Sequence, residues 1–278
     1  MALTGRFAPS PTGPLHFGSL VAAVASFLFA RAAGGRWLVR IEDLDTQRVV
    51  PGSEDEILAA LQRYSLDWDG EVVRQSERTA LYDAALAKLR EKGLAYDCAC
   101  SRADDECRCR HGLRRAARAV RFRAQEQVIA FDDLIAGRFE STVDDFVIKR
   151  ADGPYAYQLA VVVDDAAQGV TQVVRGADLL DSTPRQIALQ RALDLPRPVY
   201  AHVPVVLGPD GRKIGKRDGA LPLPTLDAAR IRDTLASALR FLGLNVELGT
   251  PAGMLDAGIR LTRERRYATI EAQLDNKI

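Results

Sequence analysis

The stretch Arg6-Phe7-Ala8-Pro9-Ser10-Pro11-Thr12-Gly13-Pro14-Leu15-His16-Phe17-Gly18-Ser19 decides how this 278-residue chain folds. Residues 3–7 before it have room only for a short strand. Proline fixes φ and gives up its N–H, so Pro9, Pro11 and Pro14 forbid regular structure across the middle of the stretch. Directly afterwards Leu20, Val21, Val24, Phe27 and Leu28 recur at helical spacing, and Gly34-Gly35 stops the helix. The unit is strand, sharp turn, helix, with His16 and Gly18 in the helix's first turn. A helix N-terminus offers free N–H groups and the positive end of a dipole, which suits phosphate.

Working outward, Arg36–Ile41 reads as a strand that ends in Glu42-Asp43-Leu44-Asp45. Strand, helix and strand make a βαβ unit, hence a parallel sheet with a right-handed crossover. Ligands of such sheets sit beyond the carboxyl ends of the strands, so the turn and the acids should face one cleft. Ser53 and Glu56 predict a capping box for a helix that carries Ile57, Leu58, Leu61 and Tyr64. Another helix is expected at 77–92, closed by Gly93. Short strands are expected at 128–130, 139–142 and 146–150, the last continuing through Gly153-Pro154 into 155–164. A strand at 170–174 leads to Arg175-Gly176-Ala177-Asp178, and Thr183 is the expected N-cap of a helix with Pro184 at its first position. The next strand, 199–207, ends in the turn Gly208-Pro209-Asp210-Gly211. A helix over 227–242 follows, and the remaining residues add helical packing.

Formal charge is only +1, so no global basic field advertises nucleic acid, yet residues 108–123 hold seven arginines and no acid. Such a stripe suits a polyanion or forms a solvated helix face. The longest apolar run, residues 20–30, breaks at Arg31 and is too short to span a bilayer, and no signal peptide opens the chain. The expectation is a cytoplasmic protein with reduced cysteines and no membrane partner.

The cysteines, Cys98, Cys100, Cys107 and Cys109, follow the spacing C-x-C-x6-C-x-C. Four thiolates so spaced can close on one tetrahedral ion, zinc being the usual occupant. Two disulfides are disfavoured by compartment, and four unrelated thiols by their clustering. With no position left open the site reads as structural, and His111 could replace one cysteine. Further on, Lys213-Ile214-Gly215-Lys216-Arg217 puts cations on a glycine-bearing loop after a strand. Such a loop is either a solvated turn or a grip on polyphosphate that neutralises charge developing at phosphorus. The loop and the opening turn are expected at opposite ends of one α/β sheet.

At this point Arg6–Ser19 resembles the signature of the class I aminoacyl-tRNA synthetases, with His16-Phe17-Gly18-Ser19 in place of the HIGH tetrapeptide. Lys213–Arg217 resembles a degenerate KMSKS loop in which Gly215 replaces the usual serine. The opening run with Arg40-Ile41-Glu42-Asp43-Leu44-Asp45, and residues 157–165 and 174–180, resemble the glutamyl and glutaminyl branch. The resemblance implies an α/β fold: a Rossmann-type parallel sheet forms a nucleotide-binding catalytic domain at 1–96 and 151–220. It also implies a zinc-bearing, acceptor-like insertion at 97–150 and a short helical segment at 221–278.

Its implied activity is the activation of glutamate with ATP and magnesium. Glutamate carries two carboxylates and one ammonium, so its pocket needs two clamps and one acid. Arg6 and Arg175 can supply bidentate forks, Glu42 can take the ammonium, and the Tyr157 hydroxyl can add a donor, all at or near strand ends. By resemblance, Arg6, Phe7, Ala8, Pro9, Ser10, Glu42, Tyr157 and Arg175 form the glutamate pocket. His16, Gly18, Ser19, Lys213 and Lys216 serve ATP, and His16, Gly18 and Lys216 are the catalytic machinery.

Residues 218–278 are too few for the anticodon-reading region of a full glutamyl-tRNA synthetase. The truncated build with a cysteine cluster resembles the branch that places glutamate on the queuosine base in the anticodon of tRNA(Asp). The implied partners are tRNA(Asp) carrying queuosine, glutamate and ATP, with the arginines of 108–123 on tRNA phosphate. In that branch a tyrosine and one cysteine complete the metal site, whereas here Cys107 and Cys109 come sooner. Two other readings fit the residues: a minimal synthetase that charges the tRNA 3′ end, and a synthetase-like RNA-binding protein without catalysis.

Overall fold

Residues 3–100, 107, 109–113, 115–207, 222–223 and 227–275 are described by a computed structural model of the chain. In chain order the first elements are β1 (Thr4–Phe7), α1 (Phe17–Ala32), β2 (Arg36–Ile41), α2 (Ser53–Arg63), β3 (Val73–Arg74) and α3 (Thr79–Glu91). Then come β4 (Ala95–Cys98), β5 (Ala119–Phe122), β6 (Gln127–Asp133), β7 (Gly137–Val143) and β8 (Phe146–Lys149). The chain continues with α4 (Tyr157–Ala167), β9 (Gln172–Gly176), α5 (Thr183–Leu193), β10 (Val199–Val203), α6 (Ala228–Phe241) and α7 (Pro251–Asp275).

The opening βαβ unit forms as its sequence dictates. β1 and β2 pair in parallel, Thr4 opposite Arg36 and Phe7 opposite Val39. The crossover returns so tightly that a Cβ on Gly35 would stand 2.3 Å from the Leu3 carbonyl oxygen, which only glycine can allow. Helix α1 is buried on nearly every side, from Leu20 and Val21 to Leu28 and Ala30. The sheet lies on one side of it, and α6 and α7 lie on the other. An apolar helix without a polar face is a core element, and this one anchors the largest hydrophobic cluster among the described residues.

Two hydrogen-bonded sheets lie side by side, β3-β2-β1 and β9-β10-β6-β7. Thr171 N–H donates to the Thr4 carbonyl at 2.9 Å, and Thr4 N–H to Thr171 Oγ1 at 3.0 Å, so β9 runs beside β1. The strand order reverses at that seam, and open α/β sheets bind ligands at such a switch point. Side chains alternate across the sheet as strands require: Val173 and Tyr200 join the core under α4 and α5, while Val174, Ala201 and Val203 meet Ala25 of α1. Residues 97–150 divide between two sheets. β4, β5 and β8 form an antiparallel sheet, whereas the β6–β7 hairpin adds to β10. Among the described residues no helix is long and apolar enough to cross a membrane.

Four local expectations are corrected. The extended run at 155–164 is mostly the helix α4, whose residues 159–165 are all buried, so no period distinguishes it from a buried strand. The expected capping box at Ser53 is absent: α2 starts after Gly52 at φ 77°, and Ser53 Oγ instead accepts the Gly13 N–H at 3.0 Å. Ser182, not Thr183, stands at the N-cap of α5, because the Thr183 hydroxyl accepts from Arg175 at 2.8 Å. The arginine-rich stretch is not a helix face; among its described residues lie a short 3₁₀ turn at Cys109–His111 and strand β5.

Helix α4 is fastened to its neighbours through Asp164, which is fully buried. It accepts from Arg78 Nε at 2.6 Å, Gln75 Nε2 at 2.7 Å and the Tyr82 hydroxyl at 2.8 Å, and faces Arg40 Nε at 3.8 Å. Removing one partner of a buried ionic cluster leaves the others desolvated and unpaired. Asp164→Ala should therefore cost about 3–5 kcal/mol in urea unfolding. A loss below about 1 kcal/mol would show that water replaces the carboxylate there.

Candidate active site at the sheet switch point

A cleft of about 880 Å³ opens where the strand order reverses. Arg6, Phe7, Ala8, Pro9 and Ser10 line it from β1 and the turn, His16, Gly18 and Ser19 from the start of α1. Glu42 enters from the end of β2, Tyr157 from the start of α4 and Arg175 from β9. Tyr157 therefore reaches the cleft from a helix N-terminus and not from a strand end. Lys213 and Lys216 lie outside the described residues. The flanks of their loop, however, return to the opening turn and do not lie at the other end of the sheet. His16 bridges to Pro222, Leu223 N–H donates to the Leu15 carbonyl at 3.0 Å, and Val206 Cγ2 is 4.0 Å from the place a Gly18 Cβ would take. The reason is the parallel pairing: successive strands deliver their carboxyl ends, and the loops that follow them, to one edge.

His16 is the N-cap of α1, its Nδ1 accepting the Ser19 N–H at 3.3 Å. A Cβ on Gly18 would come within 3.2 Å of His16 Cε1, so the glycine leaves the ring its place. The turn is pinned by backbone bonds from Glu42 N–H to the Pro9 carbonyl and from Val50 N–H to the Pro11 carbonyl, both 2.9 Å. The phosphate-type helix end and the acid at Glu42 are thus parts of one rigid unit.

Beneath the cleft floor lies a layer of buried ions. Arg40 is wholly buried; its Nη1 donates to Asp165 and to Gln168, both at 2.8 Å, and its Nη2 to Glu42 at 3.2 Å. Burial disfavours the Arg40 charge, but Asp165, Glu42 and Asp164 outweigh it and raise its pKa. Arg6 Nε donates to Asp165 at 3.1 Å, which leaves the Nη end for the cleft. Burial likewise opposes the Asp165 charge, yet Arg6 and Arg40 hold that carboxyl below the usual range. Glu42 stands the other way: burial pushes its pKa up, and Arg40 and Arg6 only partly pull it back. It is a half-buried carboxylate whose charge a further cation, such as an ammonium, would favour.

Arg175 is caged. Its Nη1 donates to the Tyr157 hydroxyl at 3.2 Å, its Nη2 to Thr183 Oγ1 at 2.8 Å and the Leu179 carbonyl at 3.4 Å, and its Nε to His202 Nε2 at 3.1 Å. The guanidinium also lies 5.7 Å from the centre of the Tyr200 ring. His202 in turn meets Asp133 at 2.6 Å. The sequence reading missed Thr183, His202 and Asp133. A signal existed for one of them: His202 is a polar residue inside the otherwise apolar strand Val199–Val203.

Apart from the cleft, Cys98, Cys100, Cys107 and Cys109 gather with their sulfurs all within 4.8 Å of one another, and none is disulfide-bonded. Cys98 and Cys107 Sγ are 3.7 Å apart, Cys100 and Cys109 Sγ 3.6 Å. A tetrahedral ion with bonds of about 2.3 Å sets its sulfurs about 3.8 Å apart, so the four fit one ion. His111 is exposed and is not part of the group. Beside it Asp145 accepts from the Tyr96 hydroxyl and from Arg110, both at 2.8 Å, and from Ala124 N–H at 2.9 Å. Arg123 lies over the Tyr96 ring, so Arg110 and Arg123 are tied inward while Arg115 and Arg118 are exposed.

The family profile described as tRNA synthetases class I (E and Q), catalytic domain, matches residues 2–111 and 111–249. The chain is 56% identical to a Glutamyl-Q tRNA(Asp) synthetase of Geobacter sulfurreducens, covering 86% of this chain and 84% of that one. It is 50% identical to one of Ectopseudomonas mendocina, covering 98% and 99%. Among solved structures it is similar to a glutamate tRNA ligase from Elizabethkingia meningosepticum in complex with its amino acid, at TM-score 0.76 and 29% identity. That match covers 93% of this chain and 64% of the ligase. A Glutamate-tRNA Synthetase from Elizabethkingia anophelis gives TM-score 0.69 and 31% identity over 79% of this chain and 53% of the other. The chain thus spans between about half and two thirds of these two solved proteins.

The raised Glu42 pKa carries a sign. A carboxyl whose folded value lies above its unfolded one favours folding below the unfolded pKa, and that favour is lost as pH rises through the folded value. Burial makes charge on Glu42 costly to the fold, a cost that Arg40 and Arg6 offset only in part. Glu42→Gln should keep thermal stability at pH 7 within about 1 kcal/mol of the parent or raise it, while weakening any ligand that carries an ammonium. The parent should lose ground to the variant as pH rises from acid to neutral. A neutral-pH loss above about 2 kcal/mol would make Glu42 a structural residue.

Proposed function

The chain belongs to the class I tRNA synthetases of the glutamyl and glutaminyl group, and on that footing we propose that it activates glutamate with ATP and transfers the glutamyl group to queuosine in the anticodon of tRNA(Asp). The observation that carries this reading is one cleft holding a capped helix N-terminus beside two buried arginines and a half-buried acid, Glu42. Two cations and one acid match the charges of glutamate. The helix end matches a phosphate. Relatives named Glutamyl-Q tRNA(Asp) synthetase supply the acceptor.

In this reading Arg6 and the Arg175–Tyr157 pair clamp the two carboxylates, and Glu42 takes the ammonium. Pro9, Ser10, Phe7 and Ala8 shape the wall. ATP enters as its magnesium complex, its phosphates over His16, Gly18, Ser19 and the N–H groups that open α1. The α-carboxylate of glutamate attacks the α-phosphorus, the bond to the bridging oxygen breaks, and pyrophosphate leaves. No side chain acts as nucleophile; catalysis is positioning and charge stabilisation. Lys213 and Lys216 meet the charge of the departing pyrophosphate. A hydroxyl of queuosine then takes the glutamyl group from the adenylate and AMP leaves.

Residues 1–96 and 151–220 make the catalytic unit, 97–150 the insertion and 221–278 the helical end. Cys98, Cys100, Cys107 and Cys109 would hold zinc, which supplies a cross-link between β4 and the 107–111 segment and takes no part at phosphorus. Among the described arginines of that region, Arg115 and Arg118 are exposed and would meet tRNA phosphate. The setting proposed is the cytoplasm.

Glutamate- and ATP-dependent pyrophosphate exchange is the direct assay. Lys216→Ala should lower it about 10²- to 10³-fold, the usual effect of losing one transition-state contact, and an unchanged rate would remove Lys216 from the machinery. The acceptor is decided with two substrates. Glutamate should attach to tRNA(Asp) carrying queuosine and not to an unmodified transcript; acceptance by the transcript would assign the enzyme to the 3′ end instead.

A further inference from the structure

Behind Arg175 a line of buried polar groups runs away from the cleft. Arg175 Nε donates to His202 Nε2 at 3.1 Å, and His202 Nδ1 lies 2.6 Å from Asp133 Oδ2. The residues are 5%, 1% and 6% exposed, so water does not compete with these bonds. A guanidinium only donates and a carboxylate only accepts, which leaves one arrangement: the His202 proton sits on Nδ1 and Nε2 is an acceptor. Burial, seconded by Arg175, keeps the ring neutral by lowering its pKa, although Asp133 pulls the other way. Asp133 is fixed independently, because its Oδ1 accepts the backbone N–H groups of Ala136 at 2.9 Å and of Ile135 and His202 at 3.0 Å.

At the cleft end, the five N–H groups of Arg175 can be followed one by one. Nε goes to His202, two on Nη2 go to Thr183 and Leu179, and one on Nη1 goes to Tyr157. The second Nη1 proton is left. Tyr157 accepts from Arg175, so its own hydroxyl proton is left as well. Two donors side by side are the complement of a carboxylate.

We propose that Asp133 and His202 are positioning residues of the amino-acid pocket, setting the imidazole tautomer that holds Arg175 so that its Nη1 and the Tyr157 hydroxyl form a ready fork for the glutamate carboxylate that does not react. This rests on the reading of Arg175 as a glutamate clamp. With the proton on Nε2, two N–H groups would meet head to head and Arg175 would turn out of line. The hydrogen bonds of this relay involve none of His16, Gly18 and Ser19 at the helix end, so it bears on glutamate and not on ATP.

Asp133→Asn tests it without a change of volume. Three backbone N–H groups keep the amide oxygen at the Oδ1 position, so the amide NH₂ faces His202 Nδ1 and drives the proton to Nε2. In pyrophosphate exchange the KM for glutamate should rise about 10- to 100-fold, as for loss of a charge-assisted contact, with the KM for ATP within about twofold. Imidazole ¹⁵N NMR reads the tautomer directly. The chain has three histidines, and His202→Gln identifies the relevant signal. The parent should show the proton on Nδ1 and Asp133→Asn on Nε2. A parent spectrum with the proton on Nε2, or with both nitrogens protonated at neutral pH, overturns the proposal, as does an equal rise in both KM values. Arg175→Gln separates the two layers of inference. If it leaves the glutamate KM unchanged, the pocket reading fails; if it raises that KM while Asp133→Asn does not, the relay alone fails.

Discussion

The pocket depends on a charge that water cannot reach. Arg40 is fully buried, and a lone guanidinium there would cost several kcal/mol in desolvation. Asp165, Glu42 and Asp164 surround it, and each of these acids is committed elsewhere as well: Asp165 to Arg6, Asp164 to α3, Glu42 to the cleft. The ions must keep their mutual geometry to offset their burial. That requirement fixes β1, β2 and α4 relative to one another, and it aims Arg6 and Glu42 at the same space.

Around this layer the fold contributes direction. Parallel strands put their carboxyl ends on one edge, so the proline-rich turn, the acid after β2, the arginine on β9 and both flanks of the basic loop arrive together. Helix α1, enclosed by the sheet, α6 and α7, gives the turn a stationary base. The cleft is preorganised in consequence. Its arginines are oriented by buried partners before any ligand binds, which is the condition under which fixed charges stabilise a transition state effectively.

The same arrangement accepts costs to stability. Burial opposes the Glu42 charge, and the Arg175 cage depends on a neutral histidine wedged between an arginine and an aspartate. Neither is the choice a stable core would favour. Both leave an unmet charge or donor facing the cleft, which is where a charged amino acid can complete them.

The polar residues now found in one cleft were legible through the resemblance of their motifs to the class I synthetases. By itself the sequence determined the opening βαβ unit, the turn over a helix N-terminus and the clustering of four cysteines. Those features are local: period, proline and glycine placement, and short spacings act within a few residues and survive any context. The tertiary structure alone decided the rest. Residues 157–167 are helical although their buried run has no period, Ser53 caps Gly13 and not its own helix, and Thr183 serves Arg175 and not α5. The β6–β7 hairpin extends the sheet of β10 and so brings Asp133 to His202, 69 residues away in sequence. A hydrogen bond across such a separation has no signature in the residues between, because it is set by where strands pair and not by what either partner's neighbours prefer.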